Sequence, residues 1–190
     1  LNDGVVDPSG RLWFGTMDNS EKSRVGAYYC FAQGELKLTN LAGIAITNGP
    51  AVSPDGSILY WVDTLGGTIN CCDILGDGVL GPSELLVRVD GKDGHPDGPS
   101  VDSDGCIWVG LYSGWEARRY SPSGELIESV RFPVSNITKV AFGGPGLDTA
   151  FATTARHLLN ADAIEAQPLA GALFEFSASV PGLAGYEVAD

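Results

Sequence analysis

The sequence predicts an all-β fold, and three features support this prediction. Gly and Pro are frequent, with 26 and 11 of the 190 residues, while only 18% of the residues are charged. Tight turns use Gly and Pro, so this composition favours many short strands over a helical bundle. Polar turns are followed by short runs rich in β-branched and aromatic residues, and this turn-and-strand unit recurs along the chain.

Each copy of the repeated unit is a polar turn closed by glycine and followed by an apolar strand, which is typical of a β-hairpin. The clear copies are residues 7–15, 53–61 and 102–110, with a weaker fourth copy at 143–153. The closing glycines are Gly10, Gly56, Gly105 and Gly146, which lie 46, 49 and 41 residues apart. A period of roughly 40–50 residues with several strands in each unit is typical of a propeller blade.

The rest of each unit agrees with this interpretation. Residues 26–31 and 117–121 predict further strands, and polar turns follow them at residues 33–35 and 122–125. Four blades of this size do not easily close a ring, and the first unit starts abruptly at Leu1. We therefore expect one propeller domain over residues 1–190, incomplete at its N-terminus, that supplies about four blades of a larger ring.

Large aromatic residues and cysteines are predicted to be structural. Trp13, Tyr60 and Trp108 recur with the blade and are expected in the core. The cysteines form no C-x-x-C pair, so we interpret them as small buried residues of a protein from a reduced compartment, the cytoplasm. They are Cys30, Cys71, Cys72 and Cys106.

The charge and hydropathy patterns argue against two classes of partner. The formal net charge of −13 would repel phosphate backbones, so nucleic acid is not an expected partner. The chain has no run of about 18 apolar residues that would cross a membrane. The acidity fits either a solvated surface or a field that collects cations around a metal site, and these interpretations are compatible. The oligomeric state cannot be read from the sequence.

The position eight residues before each closing glycine is polar in all four copies, although its neighbours are largely apolar. These residues are Asn2, Asn48, Asp97 and Thr138. Equivalent positions in a propeller are related by rotation about its axis, so the repeat predicts oxygen donors that converge on one point. Carboxylate and amide oxygens suit Ca²⁺, Mg²⁺ or Mn²⁺, and Zn²⁺ or Fe²⁺ also accept such ligands. The same side chains could instead form Asx-turns, and spacing alone does not decide between the two.

Several ordered blocks of the chain resemble the senescence marker protein/regucalcin/gluconolactonase family of six-bladed propellers. Residues 2–17 resemble its NDG, DPxGR and GTM elements. Residues 48–56 resemble its NG and SPDG block, and residues 96–108 resemble its PDG block. The FGG and TxA elements at residues 142–155 complete a match that runs to about residue 176.

The resemblance implies a function and a set of site residues. Family members bind a divalent metal and hydrolyse sugar lactones to aldonic acids. Asn48 and Asp97 match the metal-binding Asn and Asp. Asp97 would also be the catalytic proton acceptor; the alternative is a metal-bound water or hydroxide, because a bound metal makes a carboxylate a poorer base. Asn2 would contact the substrate. Either Asp18 or Glu21 could match an acidic residue that follows GTM, and we take Glu21 as the second substrate-binding candidate.

The chain departs from the family pattern in two places. A metal-binding Glu of the first family blade and an Arg two residues before the NDG Asn have no counterpart within residues 1–190.

The family counterpart of residues 155–166 is an irregular loop, so we predict no helix there. His95 could line a channel mouth but fits a structural role better, and His157 fits an exposed loop.

The predicted function is divalent-metal-dependent hydrolysis of a sugar lactone, with one ion of Ca, Zn, Mn, Mg or Fe as cofactor and the lactone as the small-molecule partner. Two alternatives from other classes stay open. One is a calcium-binding regulatory propeller without turnover, and the other is a protein-interaction propeller. A serine triad has little support, because the chain has only two histidines and no nucleophile elbow.

Overall fold

A computed structural model describes residues 1–189 of the chain, which form two compact units. The first unit contains Leu1–Arg88 and the residues from Ala184 onward, and the second contains Val89–Leu183. Strands dominate both units and pair mainly with their neighbours in sequence, as expected for a chain of consecutive hairpins.

The first unit holds two antiparallel sheets. Sheet 1 has the strand order β1 (Gly4–Val6), β2 (Leu12–Gly15), β3 (Gly26–Ala32), β4 (Glu35–Ile44). Sheet 2 contains β5 (Thr47–Val52), β6 (Ile58–Asp63), β7 (Thr68–Gly76), β8 (Val79–Leu80) and β9 (Glu84–Arg88). In sheet 2, β8 and β9 both pair with β7.

The second unit repeats this pattern. Sheet 3 has the strand order β10 (His95–Val101), β11 (Ile107–Tyr112), β12 (Glu116–Tyr120), β13 (Leu126–Arg131). Sheet 4 contains β14 (Ile137–Gly143), β15 (Thr149–Thr154) and β16 (Leu173–Ser177). A parallel pair between Gly98 and Lys139 joins β10 to β14. A 3-10 helix, Gly91–Asp93, precedes sheet 3, and a short α-helix, α1 (Ala161–Ala166), lies between β15 and β16.

The three strong copies of the predicted turn are confirmed. Gly10, Gly56 and Gly105 have φ angles of 78°, 74° and 79°, in the left-handed region that only glycine adopts without strain. Each glycine N–H donates to the carbonyl three residues earlier, at 2.9 Å in all three turns. The turns therefore set the register of β1 with β2, of β5 with β6 and of β10 with β11.

The fourth copy differs from the prediction by one residue. Its turn is closed by Leu147, which has a φ of 55° and donates its N–H to the Gly144 carbonyl at 3.1 Å. Counting eight residues back from Leu147 reaches Lys139 and not Thr138. The expected oxygen donor is therefore replaced by an ammonium group, which donates to the Pro99 carbonyl at 3.3 Å.

A buried carboxylate fixes the hairpin turn of sheet 3. Asp102 is fully buried and accepts hydrogen bonds from the backbone N–H groups of Asp104 and Cys106, at 3.1 and 3.0 Å. It also accepts from the Trp108 indole at 3.1 Å and the Arg119 guanidinium at 2.7 Å. The turn, the core tryptophan and a neighbouring strand thus share one charged acceptor.

Sheet 1 repeats this arrangement with Asp7, which accepts from the Trp13 indole at 2.8 Å and from Arg11 at 2.6 Å. In sheet 2 the acidic residue is replaced by Ser53 and the tryptophan by Leu59. The Ser53 hydroxyl accepts only backbone N–H groups, those of Ser57 and Ile58, at 3.2 and 2.9 Å. Sheet 2 therefore lacks both the buried carboxylate and the indole N–H that the carboxylate accepts in sheets 1 and 3.

Each unit has its own apolar cluster. In the first unit Trp13, Tyr28 and Cys30 pack with Leu59 and Cys72. In the second unit Trp108 packs with side chains of sheet 4, among them Val140, Ala150 and Ala152. Trp13, Tyr60 and Trp108 are 0%, 2% and 0% exposed, which confirms their predicted place in the core.

All four cysteines are free thiols, and three of them are buried as predicted, while Cys71 is half-buried. Burial raises the pKa of the Cys72 thiol to about 12. A thiol with so high a pKa remains protonated at neutral pH and is a poor nucleophile.

The prediction of no helix within residues 155–166 is wrong for its last part, since α1 occupies Ala161–Ala166. Asn160 caps this helix by accepting the Ala163 N–H at 2.9 Å, which satisfies one of the free donors of the first turn. None of the helices among residues 1–189 is long and apolar enough to cross a membrane.

Candidate functional site

Asn2 lies two residues before β1, the first strand of sheet 1, and Asn48 lies in β5, the first strand of sheet 2. An irregularity in strand pairing lies beside each of these residues. Asn2 and Asp3 both lie opposite Gly15, because Asn2 N donates to the Gly15 carbonyl at 3.0 Å and Gly15 N donates to the Asp3 carbonyl at 2.9 Å. In sheet 2 the register shifts between Asn48 and Ala51. Such bulges turn a side chain away from the regular alternation of the strand.

The side chains of Asn2 and Asn48 are brought together. Asn2 Nδ2 donates to the Thr47 carbonyl at 2.6 Å and to Asn48 Oδ1 at 2.9 Å. Asn48 Nδ2 donates in turn to Thr64 Oγ1 at 2.8 Å. Asn2 is exposed, whereas Asn48 is only 7% exposed. The network thus runs from the surface into the protein and ends at Thr64.

Buried groups hold the backbone around Asn48. The Tyr28 hydroxyl donates to the Asn48 carbonyl at 2.7 Å and also contacts the Val62 carbonyl at 3.1 Å. Burial raises the pKa of this phenol, so Tyr28 remains a neutral donor. Thr47 Oγ1 donates to the Thr16 carbonyl at 2.8 Å. A Cβ at Gly15 would lie 2.2 Å from Thr47 Oγ1, so this close approach requires glycine.

The two acidic candidates, Asp18 and Glu21, share one loop. The Asp18 carboxylate accepts the Ser20 hydroxyl at 2.5 Å and the Ser23 N–H at 2.8 Å. These bonds hold the pKa of Asp18 well below its usual range, and the bond from the Ser20 hydroxyl has the largest effect. Asp18 therefore organises the loop, while Glu21 is half-buried with a φ of 58°.

The loop of Asp18 and Glu21 is attached at both ends to the segments that flank Asn48. Asp18 N donates to the Ala45 carbonyl at 3.3 Å, three residues before Asn48. Arg24 donates to the Gly43 carbonyl at 2.7 Å and pairs with Asp63 at 3.1 Å. These bonds attach the loop to residues 43–45, which precede Asn48 in the chain, and to Asp63 at the end of β6.

Asp97 lies in the second unit, where it is half-buried at a bulge in β10. The register shifts between Pro96 and Pro99, so Asp97 and Gly98 together face Gly110. Asp97 Oδ1 accepts the Gly98 N–H at 2.8 Å.

The two histidines have different surroundings: His95 is half-buried in a strand, and His157 is exposed in a loop, as predicted for it. His95 is the first residue of β10 and pairs with Tyr112 in the sheet. His157 is exposed, and its backbone carbonyl accepts hydrogen bonds from the Tyr112 hydroxyl and the Asn136 amide at 2.5 and 3.1 Å.

The residues present fit a hard cation only if neutral oxygens contribute. Across residues 1–189, three or more His, Cys, Asp or Glu side chains do not gather into a group that could hold a metal. Asn48 Oδ1 is an amide oxygen with two lone pairs, and it accepts one hydrogen bond, from Asn2. Amide and carboxylate oxygens are the ligands that Ca²⁺, Mg²⁺ and Mn²⁺ prefer.

Sequence reasoning found Asn2 and Asn48 but missed Thr64 and Tyr28, which hold them. The register of β5 with β6 would have indicated Thr64, because Thr47 pairs with Asp63 and Thr64 N donates to the Ile46 carbonyl at 3.3 Å. Tyr28 lies on β3 of the other sheet, and no local spacing connects it to Asn48.

Comparisons with known proteins identify the family of the chain. Residues 1–156 match the family model described as SMP-30/Gluconolactonase/LRE-like region. The chain is 35% identical over 186 residues to 6-deoxy-6-sulfogluconolactonase of Pseudomonas putida. This alignment covers 97% of this chain and 64% of that protein. It is 30% identical over 197 residues to regucalcin of Homo sapiens, which covers 100% of this chain and 66% of that protein.

A solved structure gives the same result for the fold. The crystal structure of a calcium-binding protein, regucalcin from Agrobacterium tumefaciens, superposes with a TM-score of 0.93 at 33% identity, covering 99% of this chain and 64% of that chain. The chain therefore spans about two thirds of the length of its relatives. The predicted fold class is confirmed: the chain is all-β and supplies about four blades of a six-bladed propeller.

Proposed function

This chain belongs to the SMP-30/gluconolactonase/LRE-like family, and on that premise we propose that it hydrolyses a sugar lactone to the aldonic acid with the help of one divalent metal ion. The observation that carries the proposal is the hydrogen-bonded pair of Asn2 and Asn48, at 2.9 Å. Both side chains stand at the repeat position that the sequence marks as an oxygen donor, and they match family motifs. The Pseudomonas putida relative, named as a sulfogluconolactonase, supports a lactone as the substrate class.

The metal ligands in this proposal are Asn48 and Asp97, which match the metal-binding motifs of the family. Asn48 is held by Asn2 and Thr64 so that its amide oxygen has a fixed direction. Asp97 supplies the negative charge that a cation requires. A divalent cation held by these ligands supplies Lewis-acid chemistry that polarises the lactone carbonyl.

The other steps fall to the side chains of the chain. Asp97 accepts a proton from the water that attacks the carbonyl carbon, and the ring C–O bond then breaks as the ring oxygen gains a proton, which yields the acid. Asn2 uses its amide nitrogen on the Thr47 carbonyl and Asn48, so its oxygen faces the substrate as an acceptor for a sugar hydroxyl. Glu21, on the loop that is hydrogen-bonded to the Ala45 and Gly43 carbonyls, is the second substrate contact.

A panel of aldonolactones tests the function. The protein, in the longest form that its reading frame encodes, is freed of metal with a chelator and assayed with Ca²⁺, Zn²⁺, Mn²⁺, Mg²⁺ and Fe²⁺. We expect at least one ion to raise the hydrolysis rate by about tenfold or more, since polarisation of the carbonyl is worth several kcal/mol. The measurement is the acid released over time, corrected for spontaneous opening of the lactone.

A second candidate function receives support from the calcium-binding regucalcin that superposes on this chain. A regulatory propeller of that kind would bind Ca²⁺ without turnover. Binding of Ca²⁺ with no hydrolysis of any lactone under any of the five ions would favour it and overturn the enzymatic proposal.

A further inference from the structure

Thr64 lies at the buried end of the network that begins at the exposed Asn2. It directly follows β6, and its hydroxyl accepts the Asn48 amide N–H at 2.8 Å. Both residues are 7% exposed, so this bond forms where water competes little. A buried amide N–H that lost this acceptor would be left unsatisfied.

The orientation of the two amides is determined by a group that can only accept. The Thr47 carbonyl has no proton to donate, so the group that Asn2 points at it, at 2.6 Å, must be the NH₂. The same NH₂ faces Asn48 at 2.9 Å, and two NH₂ groups would repel, so Asn48 presents its oxygen there. The Asn48 NH₂ must then point to Thr64. One end of the Asn48 amide is fixed by Asn2 and the other by Thr64.

From this arrangement we propose that Thr64 is a positioning residue for Asn48 and sets the direction in which Asn48 Oδ1 meets the metal ion. The inference rests on the proposed function, in which Asn48 binds the cation. Groups that hydrogen-bond to a metal-binding side chain orient it and raise its basicity, and their loss typically lowers metal affinity by about 10–100-fold. An amide whose N–H donates to a hydroxyl carries more negative charge on its oxygen, which strengthens the bond to a hard cation.

The hydroxyl of Thr64 can be removed without loss of its backbone contacts. Thr64 N donates to the Ile46 carbonyl at 3.3 Å, and Gly67 N donates to the Thr64 carbonyl at 3.2 Å. Valine has nearly the same shape as threonine and keeps both bonds. Thr64→Val therefore removes the acceptor for Asn48, while Thr64→Ser retains it.

The chain offers a matched control on the neighbouring strand. Asn70 Nδ2 donates to Thr68 Oγ1 at 3.0 Å in β7, and Asn70 is 8% exposed. Thr68→Val removes the same kind of bond from the same sheet, but Asn70 lies outside the network of Asn2 and Asn48. It reports what the loss of an Asn–Thr hydrogen bond does to the sheet alone.

The experiment measures the Kd of Mn²⁺ and of Ca²⁺ by titration calorimetry on metal-free protein, together with the melting temperature. We expect Thr64→Val to raise the Kd at least about tenfold, while Thr64→Ser and Thr68→Val stay within about twofold of the unsubstituted protein. If Thr64→Val does not fold, Thr64→Ala removes the hydroxyl without adding a methyl group, and the same rise in Kd is expected.

The outcomes separate the inference from the function on which it rests. Asn48→Ala is measured in the same way. If Asn48→Ala abolishes metal binding but Thr64→Val has the same Kd as Thr68→Val, the role of Thr64 is overturned and the proposed metal site stands. Unchanged binding in Asn48→Ala overturns both.

Discussion

Replacing Asp97 with alanine will lower kcat/KM for the best lactone substrate by about 10³-fold or more. Two contributions are lost together, because the proposed role of Asp97 is both to hold the cation and to accept the proton of the attacking water. A positioned general base alone contributes typically 10²–10⁴-fold. The half-buried place of Asp97 at the β10 bulge and its bond to the Gly98 N–H, at 2.8 Å, keep the carboxylate in one orientation.

Asp97→Asn separates these two contributions. Asparagine keeps an oxygen that can bind a cation but cannot accept a proton at neutral pH, so we expect metal binding to weaken only in part while kcat falls nearly as far as in Asp97→Ala. Glu125→Gln is the matched control, since Glu125 is exposed and directly precedes β13 of the same sheet. An Asp97→Ala protein with more than a tenth of the original kcat/KM contradicts the proposed role.

The second large effect concerns stability and not catalysis. Asp102→Ala will reduce the free energy of unfolding by about 3–5 kcal/mol, because it removes the buried counter-ion of the Arg119 guanidinium and leaves that cation with the more distant, exposed carboxylate of Asp104, at 3.4 Å. Arg119 is 6% exposed and Asp102 is fully buried. The Trp108 indole and the N–H groups of Asp104 and Cys106 also lose their acceptor. For a chain of this size the melting temperature should fall by roughly 10 °C.

Ser53→Ala is the matched comparison, because Ser53 holds the same place in the turn of sheet 2. Its hydroxyl accepts two backbone N–H groups and donates to Asp55 at 2.6 Å, with no buried cation beside it. Loss of these hydrogen bonds, one of which is to the exposed Asp55 carboxylate, should cost about 1–2 kcal/mol. Equal melting temperatures for Asp102→Ala and Ser53→Ala would show that the buried ion pair contributes no more than an ordinary turn.

Local chemistry explains which parts of the fold could be predicted from the sequence. The three turns closed by Gly10, Gly56 and Gly105 were predictable because each needs a positive φ, which favours glycine. The fourth turn uses Leu147 in that conformation, so a search for glycine selected the wrong residue. The helix Ala161–Ala166 is too short for a periodic pattern and depends on a single cap by Asn160.

The candidate site divides in the same way. The spacing of the repeat and the family motifs both indicated Asn2 and Asn48, and the two side chains are hydrogen-bonded to each other. Thr64, in the turn after β6, and Tyr28, in β3, contact Asn48 from positions that are 16 and 20 residues away in sequence. Only the pairing of strands reveals such contacts, and no residue-type pattern marks them.

The central claim is that Asn48 and Asp97 hold one divalent metal ion. It is tested most directly by counting the metal bound per chain, by mass spectrometry after dialysis against a slight excess of Mn²⁺, in the unsubstituted protein, in Asn48→Ala and in Asp97→Ala. The account predicts one ion per unsubstituted chain and loss of that ion in each variant. One tightly held ion per chain in either variant would contradict it.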